Sequence, residues 1–251
     1  IYTYDPLDRV MQESTSSQTD PLTFTYDKGK NAIGRLDNVQ GKDYQHNFTY
    51  DLLGRIVVDE KKIDNHNFIF IYDYDLMGGV EKMQYPDGTA IFYNYNKVHQ
   101  LNKVSSKTKV FANQFTYTPL GQLKSIRLGN KVVTISNYDP NKMYRLTQKQ
   151  SLLNKNAIQD FKYNYDPLGN LIKLTDTSNS KTSKIVNYKY DDLYRLTEAN
   201  YTNTSDKKDL KMSYKYNSIG NMIYKSDVGN MEYSHHNPHA VTKAGDEQFL
   251  Y

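Results

Sequence analysis

Aromatic and aliphatic residues alternate with polar ones in short runs along the chain, and each run closes on an Asp and a turn. The clearest examples are Phe48-Thr49-Tyr50-Asp51-Leu52-Leu53-Gly54-Arg55-Ile56 and Tyr163-Asn164-Tyr165-Asp166-Pro167-Leu168-Gly169-Asn170-Leu171. Period-two alternation predicts strands, so each phrase reads as strand, tight turn, strand: a β-hairpin. The second aromatic recurs as Tyr4, Tyr26, Tyr50, Tyr74, Tyr95, Tyr117, Tyr138, Tyr165, Tyr190 and Tyr216, with a degenerate copy at His235 and the start of another at Tyr251. The period is about two dozen residues, within the range of repeat architectures.

The turn chemistry is specific. In Asp166-Pro167-Leu168-Gly169 the Asp can bond its own backbone two residues on, Pro presets φ at the second position, and Gly supplies φ > 0 at the end. This predicts a type I turn closing in a G1 bulge, with Gly54, Gly121, Gly169 and Gly220 at the left-handed position. Where Gly is absent, that position falls to Asp8 or Tyr194, and Tyr is strained there. Asp51 and Asp166 represent the recurring turn aspartates; Asn96, Thr118 and Asn217 replace the carboxylate by another acceptor.

Aromatics at i and i+2 share one strand face, Phe48 with Tyr50 and Tyr163 with Tyr165. Repeated over many hairpins, they predict a sheet held by aromatic ladders more than by a thick aliphatic core. A chain with 24 Tyr and no Trp suits that reading. The connections at the far ends of the hairpins vary. Tyr85-Pro86-Asp87-Gly88-Thr89, Leu128-Gly129-Asn130-Lys131 and Val228-Gly229-Asn230 read as tight turns. Asp176 to Ser183 and Thr202 to Lys208 read as solvated polar loops. No composition break divides the chain, so 1–251 is expected to form one domain of about eleven hairpins, with both ends falling inside repeats. A propeller would pair hairpins into alternating blades, but the Tyr-Asp phrase returns in every unit, which favours one continuous sheet.

Composition excludes several classes. The net charge of +4 comes from 32 basic and 28 acidic residues spread evenly, which makes no nucleic-acid footprint. No apolar run is long enough to span a membrane. With zero Cys there is no disulfide framework and no thiolate metal site. The aspartates are explained by turn bonding better than by calcium, which needs six to eight oxygens. His235, His236 and His239 form the densest imidazole cluster, yet strand neighbours point to opposite faces and no H-E-x-x-H spacing is present. No nucleophile elbow or phosphate-binding loop occurs, so no catalytic residue, metal or cofactor is expected.

The Tyr-x-Tyr-Asp-x-x-Gly-Arg/Asn-Leu phrases, the Tyr85–Thr89 connection and the tract Asn237-Pro238-His239-Ala240-Val241-Thr242 together resemble the Rhs/YD-repeat proteins. That family includes bacterial polymorphic toxins, shell subunits of insecticidal toxin complexes, wall-associated proteins and teneurins. The resemblance implies an all-β spiral sheet of tandem hairpins, part of a larger hollow cocoon. For the toxin members it implies a non-catalytic shell that encloses or presents a C-terminal effector, here outside the chain. Partners would then be that effector or a delivery and secretion apparatus. The family's self-cleaving aspartyl region is not carried over: Asp166-Pro167-Leu168-Gly169 sits within an ordinary repeat. The rival reading is a surface adhesion module using Tyr-rich patches to contact glycans or a surface protein. Lys, Asn and Tyr richness points to a bacterial chain, secreted or at the cell surface.

Overall fold

The computed structural model describes residues 1–14, 20–179, 181–204 and 209–251. Among them lie 23 β-strands and one 3-10 turn, Pro140–Lys142, and no α-helix. The chain forms two compact units, Ile1–Thr116 with Leu128–Asn130, and Tyr117–Arg127 with Lys131–Tyr251.

In both units strands pair antiparallel with their neighbours in sequence. In the first, Tyr44–Tyr50 pairs with Ile56–Ile63, which pairs with His66–Tyr74, then Val80–Gln84, then Ala90–Tyr95. In the second, Val133–Asp139, Arg145–Leu153, Asn156–Tyr165, Leu171–Asn179, Thr182–Tyr190, Leu196–Asn203 and Asp209–Tyr216 follow one another in the same way. The order needs no crossover, because each connection is a hairpin.

At each Tyr-Asp turn the register slips by one residue. Tyr50 faces Ile56, Tyr74 faces Val80, Tyr165 faces Leu171, Tyr190 faces Leu196 and Tyr216 faces Met222, each beside a bulge. The residue that closes the bulge has positive φ: Gly54 at 76°, Gly121 at 80°, Gly169 at 103° and Gly220 at 92°. Asp8 at 59° and Tyr194 at 60° take that conformation without glycine.

The far-end connections differ from the reading of polar composition as loop. Strands Leu171–Asn179 and Thr182–Tyr190 run through most of the Asp176–Ser183 tract, with Asp176 opposite Lys184 and Asn179 opposite Thr182. Thr202 and Asn203 likewise complete strand Leu196–Asn203. Ladder pairing with a neighbouring strand outweighs polarity here, and Thr suits a pleated surface. Ser180 and residues 205–208 of these tracts lie outside the described residues. In Leu128–Lys131 the positive φ falls on Lys131, at 73°, and not on Gly129. Gly129 serves a different need: a Cβ there would fall on the Val110 carbonyl oxygen. We therefore expect Gly129→Ala to destabilise by about 2 kcal/mol through forced backbone separation, read as a lowered urea midpoint.

Among the described residues six apolar ones are buried, Ala32, Val39, Tyr50, Ala112, Val132 and Ala240, and no large side chain is completely enclosed. Within each unit the strands pack against their sheet neighbours, forming a single layer, and stability comes from ladders and from contacts between neighbouring hairpins.

Candidate functional site

Alternation along the strands separates two faces. Tyr44, His46, Phe48 and Tyr50 lie on one, while Gln45, Asn47 and Thr49 lie on the other. Register carries the aromatic face onward: Phe48 sits opposite Asp59, Asp59 opposite Phe70, Tyr72 opposite Met83 and Met83 opposite Ile91. In the second unit Tyr163 faces Leu174, which faces Val186, and Tyr188 faces Ala199, which faces Met212. One face is mainly aromatic and aliphatic, with Asp59 paired to His46 within it; the other carries Lys, Asn, Thr and Glu together with Val58 and Ile71.

The marker tyrosines join one hairpin to the one before it. The hydroxyl of Tyr50 donates to the Leu36 carbonyl at 2.6 Å, Tyr74 to Ile56 at 2.7 Å and Tyr95 to Val80 at 3.0 Å. Tyr26 reaches Val10, Tyr138 reaches Leu123, Tyr190 reaches Leu171 and Tyr216 reaches Leu196 in the same manner. The acceptor is each time the aliphatic that opens the preceding return strand. Tyr50 is 8% exposed and Tyr4, which stands beside the first turn, is 57% exposed. Tyr117 and Tyr165 are half-buried, and burial pushes both phenols up.

Reading the sequence did not single out the arginines. Each closes a turn and reaches the next hairpin, where its guanidinium lies over the marker ring: Arg9 over Tyr26 at 4.4 Å, Arg55 over Tyr74 at 4.5 Å and Arg195 over Tyr216 at 4.8 Å. Arg35 over Tyr50 and Arg145 over Tyr165 stand further off, at 5.8 and 5.9 Å. The same guanidiniums donate to the backbone of the neighbouring turn, Arg35 to Gly54, Arg55 to Asp75, Arg145 to Asp166 and Arg195 to Asn217. Cation–π contact and hydrogen bonding together favour Arg over Lys at this position. The signal was present in the phrase itself, since Arg9, Arg55 and Arg195 each stand five residues after the marker Tyr.

Where Arg is missing, other side chains fill the slot. Gln122 donates to the Tyr144 carbonyl and Asn221 to the Pro238 carbonyl. At Gly79 the contact reverses: His99 reaches back to the Asp75 carboxylate at 2.8 Å and stacks on Tyr95 at 4.6 Å.

The turn aspartates are occupied locally. Asp51 Oδ1 accepts the amides of Leu53 and Arg55, and its Oδ2 accepts Arg55 Nε at 2.7 Å. The Arg55 amide, ahead of its side chain, holds the Asp51 carboxyl below the usual range. Asp166 makes the equivalent bonds to Gly169 and Asn170. Asn96, Thr118 and Asn217 also accept the amide that closes their turns. Of the imidazoles, His239 bonds Asn221 at 2.6 Å, and the His235 and His236 rings lie tilted at 46° with centres 3.8 Å apart. Among the described residues no group of three or more His, Cys, Asp or Glu is placed to hold a metal ion. An open depression of about 550 Å³ with a mixed polar and apolar lining lies beside Leu123, Ile126, Thr134, Ser136, Tyr138 and Lys149.

The turn geometry gives a direct test. Gly169 combines φ of 103° with an Arg145 guanidinium nitrogen 2.8 Å from where a Cβ would stand. Gly169→Val is expected to cost more than about 1 kcal/mol, through backbone strain and displacement of Arg145. An unchanged melting midpoint would overturn the turn assignment.

Residues 165–206 match the RHS repeat family model. The chain is 26% identical over 138 residues to the toxin subunit YenC1 of Yersinia entomophaga, covering 50% of this chain and 14% of that protein. It is 31% identical over 103 residues to YenC2 of the same organism, covering 36% and 11% respectively. Among solved structures, a chain in the TcdB2-TccC3-Cdc42 crystal structure superposes with a TM-score of 0.75 at 17% identity, over 96% of this chain and 15% of that one. A Photorhabdus luminescens Tc holotoxin pore with a TccC3 mutation gives 0.62 at 15% identity, over 86% and 14%. No helix among the described residues is long and apolar enough to cross a membrane. With the bulged Tyr-Asp hairpin and its clamp recurring through both units, residues 165–206 match the RHS repeat and the chain is similar to these toxin subunits, of whose length it spans under a sixth.

Proposed function

We propose that this chain is a non-catalytic shell segment of a secreted bacterial Rhs/YD-repeat protein, which encloses or presents a C-terminal effector lying outside it. The observation that carries the reading is the single-layer sheet itself. An aromatic face runs through each unit with no second layer against it, and neighbouring hairpins are fastened by Tyr hydroxyls and Arg guanidiniums. A wall needs this construction: stiffness along the sheet without a filled core. A half-exposed aromatic face also suits contact with an unfolded polypeptide, because Tyr offers apolar area with a polar tip. Likeness to toxin subunits supports the toxin setting, and the effector or a delivery apparatus is the partner it suggests.

The test is cryo-electron microscopy of the full-length parent. Weak, unstructured density held against the aromatic face would support encapsulation and place the activity in another segment. An empty sheet with the tyrosine face open to solvent would overturn it in favour of an adhesive surface.

A further inference from the structure

Arg9, Arg35, Arg55, Arg145 and Arg195 each place a guanidinium over the marker tyrosine of the next hairpin. Tyr190 departs from this pattern. The position five residues after Tyr165, where Arg would serve Tyr190, holds Asn170. Asn170 Nδ2 donates to Asp166 Oδ2 at 2.8 Å, the bond that Arg55 Nε makes to Asp51 and Arg195 Nε makes to Asp191 in their own turns. There the carboxamide ends, and no guanidinium or ammonium among the described residues lies over the Tyr190 ring. The slot is instead an open cleft of about 530 Å³ between two consecutive Tyr-Asp turns, with Leu168, Ile172, Tyr188, Tyr190, Asp192 and Tyr194 in its lining.

The acceptors for a guanidinium are in place. The Asp191 carbonyl is the counterpart of the Asp75, Asp166 and Asn217 carbonyls, each of which accepts a guanidinium from the turn before. Here it accepts the Tyr194 amide and no side chain of the described residues. Asp192 is exposed, and its carboxylate has no partner among the described residues. Lys189 also lines the cleft, but its ammonium is held by Glu198 at 3.0 Å. Arg145 stands over Tyr165 in the preceding slot, and Arg195 is paired with Asp191 at 2.7 Å. Guanidiniums in successive slots are compatible, since Arg35 and Arg55 occupy two in a row.

Tyr194 adds a second, independent sign. It takes φ of 60° at the bulge position that Gly54, Gly121, Gly169 and Gly220 fill elsewhere, a conformation strained for a bulky residue. Packing within the chain does not account for it: the ring is 58% exposed, and its side chain makes no hydrogen bond or ring contact among the described residues. His99, at the same place in its own turn, stacks on Tyr95 and bonds Asp75, and so fills the slot that Gly79 leaves. Gln122 fills the slot before Tyr138, and at Tyr117 the receiving turn has Thr118 in place of Asp. Tyr190 alone among these combines an open slot, an acidic turn and a strained, exposed ring.

We propose that this cleft binds an arginine side chain of a partner polypeptide, its guanidinium over Tyr190, donating to the Asp191 carbonyl and the Asp192 carboxylate, with Tyr194 flanking it. The chain's own arginines define the ligand, because the planar fork both stacks and donates where an ammonium does not. Leu168 and Ile172, exposed beside the slot, match the methylene stem. Asp166, Asp191 and Asp192 disfavour the α-carboxylate of free arginine, which an arginine within a peptide lacks. The inference is independent of whether the parent protein encloses an effector.

Titration of the intact chain with the blocked tripeptide acetyl-Gly-Arg-Gly-amide, followed by nuclear magnetic resonance, should shift the Tyr190 and Tyr194 resonances saturably, with Kd on the order of 1 mM. The citrulline peptide, neutral and of the same shape, should bind at least ten-fold more weakly. Asn170→Arg puts the chain's own guanidinium into the slot and should weaken peptide binding at least ten-fold while raising the melting midpoint. Tyr194→Gly should weaken binding at least three-fold without lowering the melting midpoint, because glycine accepts the positive φ. No saturable shift up to about 50 mM peptide, equal binding of the citrulline peptide, or native affinity in Asn170→Arg would overturn the proposal. Free L-arginine binding as tightly as the blocked peptide would also overturn it, by assigning the cleft to a free amino acid.

Discussion

Tyr50→Ala is expected to lower the unfolding free energy by about 3 kcal/mol, the cost typical of deleting a buried aromatic ring. Tyr50 is the most deeply placed marker ring, 8% exposed, and its hydroxyl donates to the Leu36 carbonyl at 2.6 Å. Its own carbonyl accepts Asn31, and the Arg35 guanidinium lies over its ring. Removing the ring therefore breaks one hairpin's attachment to the hairpin before it, in a sheet that has no second layer to compensate. Tyr50→Phe keeps the ring and deletes one hydrogen bond, for about 1 kcal/mol. Tyr4→Ala is the internal control: that ring is 57% exposed, and a change within about 0.5 kcal/mol is expected. Urea midpoints measure all three. Equal losses at Tyr4 and Tyr50 would show that the inter-hairpin attachment is not what the ring provides.

Alkaline pH should dissolve the sheet as a whole. Burial pushes the phenols of Tyr50, Tyr72, Tyr74, Tyr93 and Tyr95 up from 10.0 in the first unit. The same cause acts on Tyr117, Tyr163, Tyr165, Tyr188, Tyr190 and Tyr216 in the second. A folded pKa raised above the unfolded one means that the folded state binds more protons at high pH. The stabilisation is then fully present below about pH 10 and is lost as pH rises through the folded values. Geometry acts in the same direction, since a hydroxyl that donates to a carbonyl becomes a phenolate facing an oxygen lone pair. The expected result is a cooperative rise of phenolate absorbance at high pH, coincident with loss of the strand signal in circular dichroism. A gradual titration with the strand signal intact would sink the idea that these hydroxyls hold the hairpins together.

The hairpins were legible because their signals are local. Alternation, the Asp that bonds its own turn, and Gly at the bulge act within about ten residues, and the bulged registers at Tyr50, Tyr165 and Tyr216 follow from them. Reading Asp176 to Ser183 as loop failed because polarity is a weak signal when a partner strand lies alongside. The arginine clamp was visible as a recurring letter, but its role depends on what lies one hairpin away. Gly129 looked like a turn glycine and is instead a point of close backbone approach to Val110.

By itself, then, the sequence determined the repeating unit: an all-β chain of tandem Tyr-Asp hairpins, their turn type, and which residues share a strand face. These depend on covalent geometry and hydrogen bonds between residues close in the chain. Only the tertiary structure decided how one hairpin is fastened to the next, that the sheet remains a single layer, and that the turn tips stay uncovered. Those features rest on contacts between residues some twenty positions apart, such as Arg55 with Tyr74 and Tyr74 with Ile56, and on burial, which no local pattern encodes.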